Sequence, residues 1–274
     1  MELSEILKIK NYQIFIPKII VNEFQGIDDI ILKLDSGSKN FNEILGGGFC
    51  PGRNYLIFGA NRTGKTQIAH QICIQALKYF SKIKGISNNS LKYVYYFDLE
   101  NTFRPERLKE LATNAGFENT EKFDNILISK IMSNSAFLLS LKNFENFIKK
   151  SQKGVLIIDT INNHYNSETA DKLVSVTNAK MRFIKILELI NSLTHKYNLI
   201  TIALAQVTSN LNEKPLIPVI PVGNHILNHY FSEYIFLEYK DDNQRYVQLV
   251  NSLELPERRS IFKITSSGIQ DHKI

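Results

Sequence analysis

Short apolar runs alternate along this chain with longer stretches in which apolar residues recur at helical spacing. Residues 55–58 (Tyr-Leu-Ile-Phe) form a continuous run of buried-strand length, and 67–80 place Ile68, Ile72, Cys73, Ala76 and Phe80 on one helical face. Beyond a polar surface loop over 82–91, the pattern predicts a strand at 93–98 and a helix at 104–114 begun by Pro105. A strand at 125–129 and an amphipathic helix at 136–150 follow. Residues 154–159 then read as a fully apolar strand closing on an aspartate. A long helix over 176–197 aligns Phe183, Ile186, Leu187, Ile190 and Leu193, and 199–205 is another buried strand. This alternation predicts an α/β fold with a mainly parallel sheet flanked by helices on both faces. After Ser232 the helices stop, and 234–239, 245–250 and 260–264 read as short strands extending the sheet antiparallel at its C-terminal edge.

The turn between the first strand and helix, Gly59-Ala60-Asn61-Arg62-Thr63-Gly64-Lys65-Thr66, fits the phosphate-loop pattern without substitution. Such a loop aims backbone N–H groups and the positive end of a helix dipole at polyphosphate oxygens. The pattern assigns Lys65 to the β- and γ-phosphates and Thr66 to Mg²⁺, with Gln67 opening the helix. Ligands of open parallel sheets sit beyond the strands' carboxyl ends, and polar residues mark several such ends here. Asp159 suits a carboxylate orienting Mg²⁺, and Glu100 one that orients or deprotonates an attacking water. Gln206, ending another strand, could sense the γ-phosphate and pass that to the loop it begins; spacing alone leaves this open. That loop, 207–222, carries Pro215, Pro218 and Pro221 and reads as semi-rigid and non-helical, closing at Gly223-Asn224-His225. His225 reads as a weaker second phosphate sensor, or as a merely exposed loop histidine.

Composition changes this picture little. With 274 residues and 43% hydrophobic content, the chain suits one large α/β domain with a short appendage. No apolar run approaches the ~20 residues needed to cross a bilayer, so a soluble, cytoplasmic protein is expected. Cys50 and Cys73 read as reduced structural thiols. The net charge of +6 suits an anionic partner or no partner equally, because it is not gathered in one run. The division expected is an N-terminal arm or polymerisation segment over 1–33 and a core over 34–274. In the arm, 12–16 alternates like a strand and Pro17 makes it an edge strand or a pairing arm. Turn, short helix (41–45) and the triplet Gly46-Gly47-Gly48 lead into the core.

The loop 59–67 together with Asp98-Leu99-Glu100-Asn101-Thr102-Phe103-Arg104-Pro105-Glu106-Arg107 resembles the RadA-type and eukaryotic strand-exchange recombinases of the RecA superfamily. The resemblance extends through 34–48, the Asp159 strand, Gln206, 223–225, Leu255-Pro256-Glu257 and 261–268. It implies a RecA-like ATPase core that uses ATP and Mg²⁺ and assembles head to tail on single-stranded DNA, with ATP between protomers. On that resemblance Glu100 is the catalytic glutamate and Arg107 the arginine that stacks on adenine. Pro256 is the proline that a neighbouring protomer places over the nucleotide, and Gln206 with His225 links the γ-phosphate to the second DNA loop.

Departures qualify the resemblance. Where arginines are expected in the first DNA loop, the chain has Asn166, Lys172 and Asn178, and in the second loop Lys214 is the one cation. Lys172 and Lys214 are thus the candidate DNA contacts, and fewer phosphate contacts mean weaker, less salt-dependent binding. The family's cap aspartate is Asn251, and its Phe-x-x-Ala docking strand is matched by Phe24-Gln25-Gly26-Ile27. Ile27 in an alanine-sized pocket would cost ~1–3 kcal/mol of overpacking. The expectation is an ATP-hydrolysing recombinase paralogue, without the usual preceding helical domain, that assists or regulates a main recombinase. A fully competent recombinase, or an ATP-gated interaction module that leaves DNA alone, is the alternative.

Overall fold

The computed structural model describes residues 32–83, 91–117, 120–148, 151–211, 215, 217–241 and 243–271. The expected arm strand, the Phe24 segment, Lys214 and most of the 82–91 loop lie outside the described residues. Among the described residues, nine strands form one sheet in the order β11-β10-β9-β8-β1-β5-β4-β2-β3. The parallel part consists of β1 (Asn54–Gly59), β2 (Leu91–Asp98), β3 (Ile126–Lys130), β4 (Ser151–Asp159), β5 (Ile200–Ala205) and β8 (Glu233–Asp241). Added antiparallel are β9 (Gln244–Asn251), β10 (Arg258–Thr265) and β11 (Gly268–Asp271).

The central strands β1 and β5 are buried over their whole length, their polar residues Asn54 and Thr201 included. One face is covered by α1 (Lys39–Ile44), α2 (Lys65–Lys82) and α3 (Pro105–Asn114). Ile68, Ile72, Cys73, Ala76 and Phe80 of α2 are all buried there. The opposite face packs α4 (Asn134–Ile148) and α6 (Val176–Tyr197), with Phe183, Ile186, Leu187, Ile190 and Leu193 at no more than 1% exposure. Local chemistry sets the ends of these helices. Pro105 opens α3, Asn198 ends α6 in the left-handed region (φ 50°), and the Ser38 hydroxyl accepts from Phe41 N (3.1 Å) to cap α1.

The structure corrects the sequence reading at four places. β8 runs parallel to β1, in register from Tyr55–Glu233 to Gly59–Leu237, so the antiparallel extension starts one strand later, at β9. The return through α7 (Asn224–Leu227) brings the chain back to the starting end of the sheet, which sets β8's direction. The expected loop at 207–222 contains a two-stranded ribbon of β6 (Val207–Ser209) and β7 (Val219–Pro221). Pro221 fits because it sits opposite Val207, between the bonded pairs marked by Val222 N to Gln206 O (3.0 Å) and Asn210 N to Pro218 O (2.9 Å). Asn163–Ala170 forms α5, unread because it buries only Tyr165 and so carries no apolar periodicity. β11 was also unread, being four residues long.

Candidate functional site

β1 delivers its last residue, Gly59, against the Leu237 carbonyl of β8, where a Cβ would collide with that oxygen and lie 3.0 Å from Thr63 Oγ1. Glycine is therefore required by contact here, before any ligand is considered. Thr63 Oγ1 donates to Ala60 O (2.9 Å), tightening the turn, and Gly64 caps α2 at φ 100°. Ala60, Asn61 and Arg62 form an exposed crown, with Arg62 at φ 68°. Lys65 folds back and donates from Nζ to Gly59 O (2.8 Å) and Ala60 O (3.0 Å). Burial lowers its pKa, while Glu100 and Asp159 oppose that shift.

Around this loop lies a cleft of about 640 Å³ lined by Asn61, Arg62, Gly64, Lys65, Thr66, Gln67, Glu100 and Gln206. Residues from three strand ends thus meet at one place, at the carboxyl side of the parallel sheet. Asn243, Arg245 and Ile264 complete the wall. No sequence signal marked Asn243, in the turn after β8, or Arg245 at the start of β9, some 180 residues later in the chain; Ile264 lies within the 261–268 stretch of the resemblance.

Glu100 is held by two donors, Thr160 Oγ1 and Gln206 Nε2 (2.6 Å), both on Oε1. The Gln206 amide also donates to Asn163 Oδ1 (3.2 Å). Asn163 in turn donates to Leu99 O (2.7 Å), beside Glu100. Asn162, fully buried, accepts from Gln206 N (2.8 Å) and donates to Gln206 O and Val222 O (both 2.9 Å). Sequence reasoning missed Thr160, Asn162 and Asn163. The available signal was the cluster of polar residues, Thr160, Asn162 and Asn163 around Ile161, directly after the apolar strand that ends at Asp159.

Asp159, the last residue of β4, is fully buried. Its Oδ2 accepts from Tyr96 Oη (2.7 Å) and Thr102 Oγ1 (3.4 Å), and Oδ1 has no hydrogen-bond partner. Burial pushes its pKa up to about 6; the Tyr96 and Thr66 hydroxyls pull it down, and the Glu100 and Asp98 charges push it further up. A buried carboxylate with one open oxygen beside the first helical turn fits a Mg²⁺ held by Thr66 and, through water, by Asp159. Tyr96, its partner, is held well above its ordinary pKa, first by burial and then by the Asp159 charge.

Arg107 projects from α3 toward the same wall. Its Nε donates to Gln67 Oε1 (2.8 Å), and its terminal nitrogens to Thr265 O (2.7 Å), Ser266 O (2.5 Å) and Glu110. The guanidinium is thereby fixed in plane next to Gln67, as a stacking platform needs.

Other expected residues stand apart from the cleft. His225 is exposed on α7. Lys172 is exposed in the turn between α5 and α6, next to Leu173, which is 95% exposed. Of the other two first-loop positions, Asn166 lies on α5 and Asn178 in the first turn of α6. Pro256 follows β9, whose last residue Asn251 pairs with Tyr234, at the starting end of β8 and β1. It therefore lies at the opposite end of the sheet from the phosphate loop of its own chain.

The Rad51 family model matches residues 28–272. The chain is 27% identical over 247 residues to the DNA repair and recombination protein RadA of Methanococcus maripaludis, an alignment covering 88% of this chain and 76% of that one. It is also 27% identical over 250 residues to the meiotic recombination protein DMC1/LIM15 homolog of Mus musculus, covering 89% and 72%.

Proposed function

The chain belongs to the Rad51 family, a family of RecA-like recombinase ATPases, and from that premise we propose that it binds and slowly hydrolyses ATP in recombination and repair. In this reading it assists or regulates a main recombinase. Residues 34–274 are the working core. The observation that carries the catalytic part is the convergence of Lys65, Thr66, Glu100 and Gln206 on one cleft.

Lys65 exchanges its two loop carbonyls for phosphate oxygens when ATP enters, and the N–H groups of 59–66 cradle the polyphosphate. Thr66 and Asp159 hold Mg²⁺, which supplies neutralisation of phosphate charge. Glu100, kept in place by Thr160 and Gln206, orients the attacking water and takes its proton. Gln206 reports on that carboxylate to the β6–β7 ribbon it begins. Arg107 supports the adenine from one side, and Pro256 of an adjacent protomer covers it from the other.

The assisting role is supported by the tip where DNA would bind. Lys172 is the one cation among the three positions read as the first DNA loop, and both asparagines there sit on helices. Lys172, and Lys214 outside the described residues, are the proposed phosphate contacts.

The interaction reading has its own support at β3, which ends the sheet with Leu127 and Ile128 at 37% and 41% exposure. Cavities of about 310 Å³ flank this edge, one beside Leu127, Phe144 and Phe147, the other among Phe103, Leu108 and Ile128. An added strand puts residues three apart on opposite faces, so Phe24 and Ile27 of a second copy, or the matching pair of residues of a related recombinase, would enter one cavity each.

ATP turnover, measured with and without single-stranded DNA across salt concentrations, tests the proposal. Turnover that depends on Lys65 supports catalysis, and salt-dependent stimulation by DNA supports the DNA contact. Lys65-independent turnover would end the catalytic reading; Lys65-dependent turnover indifferent to DNA would select the interaction module.

A further inference from the structure

His70 lies one turn into α2, is 1% exposed, and belongs to none of the groups assigned above to phosphate, metal, base or water. Its two ring nitrogens make different bonds. Nδ1 lies 2.7 Å from the carbonyl oxygen of Thr66, and Nε2 lies 3.1 Å from the backbone N–H of Arg104. A carbonyl can only accept and an amide N–H can only donate, so Nδ1 carries the proton and Nε2 offers its lone pair. The ring stacks on Phe103 (4.8 Å between centroids, 22° between planes) and touches Tyr96 (5.9 Å), the partner of Asp159.

These bonds join two segments that must act together. Thr66 begins the helix behind the phosphate loop. Arg104 ends the segment that starts at Asp98, carries Glu100, and leads into α3 with Arg107. The Asp98 carboxylate at the start of that segment accepts from Thr102 N (3.0 Å) and Phe103 N (3.1 Å), which folds the segment back on its own start. The far end is fastened to α2 by His70. Between them Glu100 is held within reach of Lys65, and Arg107 beside Gln67.

We propose that His70 is a positioning residue for ATP hydrolysis, setting the distance between the phosphate loop and the Glu100 segment through its paired bonds to Thr66 and Arg104. The inference rests on the ATPase reading. It assigns His70 no contact with substrate. Its action is on the geometry of Glu100, because a displacement near 1 Å costs up to about 100-fold in rate while leaving binding groups in place.

Three substitutions separate the bonds. His70→Phe keeps an aromatic ring on Phe103 and removes both bonds. His70→Asn places an amide near Nδ1, keeping the Thr66 bond and losing the one to Arg104. His70→Gln reaches the Nε2 position and restores an acceptor for Arg104 N. Single-turnover ATP hydrolysis and equilibrium binding of ATP are measured for each, together with hydrogen exchange at the Arg104 amide. The expected result is a fall in the hydrolysis rate of about tenfold or more in His70→Asn and His70→Phe, with ATP affinity within about threefold of wild type. Faster Arg104 exchange accompanies the loss, and His70→Gln, which keeps the Arg104 bond without the one to Thr66, recovers the rate in part. Equal loss of rate and affinity in all three variants, tracking their thermal stability, would reduce His70 to a packing residue and overturn the inference. So would full rate in His70→Asn. If wild type itself shows no Lys65-dependent hydrolysis, the ATPase reading fails instead, so the two failures are told apart.

Discussion

Glu100 gains its proposed role from neighbours that the sequence scatters. Thr160 lies 60 residues away and Gln206 lies 106 away, yet both donate to the same carboxylate oxygen. Glu100→Gln is therefore expected to lower kcat about 100-fold or more while leaving ATP affinity within a few-fold, as loss of a general base does. A rate unchanged by this substitution would move the base elsewhere. Asp271 shows a different residue-scale effect, far from the cleft. Burial works against its ionisation, but hydrogen bonds from the Ser38 hydroxyl (2.6 Å) and backbone amides including Asn40 (3.0 Å) outweigh that and hold its pKa below 3.8. A carboxylate depressed in the folded state stabilises above its unfolded pKa, and this contribution is lost as pH falls through the folded value. Asp271→Asn should thus cost about 0.5–1 kcal/mol at neutral pH, a modest figure for an exposed group. The difference from wild type should vanish in melts at progressively lower pH below 3.8. The residues marked by a motif, Gly59 to Thr66 and Asp98 to Arg107, stood out in the sequence, as did Asp159 and Gln206 by their places at strand ends. His70, Asn162 and Arg245 did not, because a buried polar side chain announces itself only through partners that folding supplies.

At the scale of elements, the fold was legible wherever burial imposes a period. The boundaries of α6 were read without error because 22 residues of one apolar stripe leave no other solution. α5 and the β6–β7 ribbon were not, and both lie between Asp159 and α7, where side chains are polar or exposed and the backbone is shaped by hydrogen bonds to other segments. Asn162 is the chief of these, tying the ends of the ribbon at Gln206 and Val222 to the Asp159 strand. Asn162→Ala leaves Gln206 N and Val222 O without this partner and is expected to cost about 2–4 kcal/mol. Thermal or urea unfolding measures that cost. The ribbon should also loosen, seen as faster amide exchange at Val222, whose N–H bonds Gln206 O at 3.0 Å in the intact structure. Stability lost without any change in exchange at Val222 would mean that Asn162 serves the core and leaves the ribbon's position to Gln206 alone. The direction of β8 belongs to this scale too. Its sequence predicts a strand, but parallel or antiparallel pairing depends on the path of α7, which is too short to carry a period of its own.

For the molecule as a whole, the arrangement of the sheet separates two things that the proposed reaction needs together. Lys65, Thr66 and Glu100 stand beyond the carboxyl ends of the parallel strands, and Pro256 stands at the other end of the same sheet. No hinge within the sheet could join them, because β1 and β8 are hydrogen-bonded in continuous register between the two ends. A complete nucleotide site would therefore combine one end of one protomer with the opposite end of the next, a head-to-tail contact that repeats without closing on itself unless a ring forms. Two consequences follow for catalysis. Turnover per molecule should rise with protein concentration until protomers are paired. Lys65→Ala retains Pro256, and Pro256→Gly retains Lys65, so mixing the two variants restores intact sites at those junctions where the first covers the second. An equal mixture should reach about a quarter of wild-type turnover if the protomers associate at random. A mixture no more active than the sum of its parts, together with turnover independent of concentration, would place the whole of the chemistry within one protomer and leave Pro256 to another role.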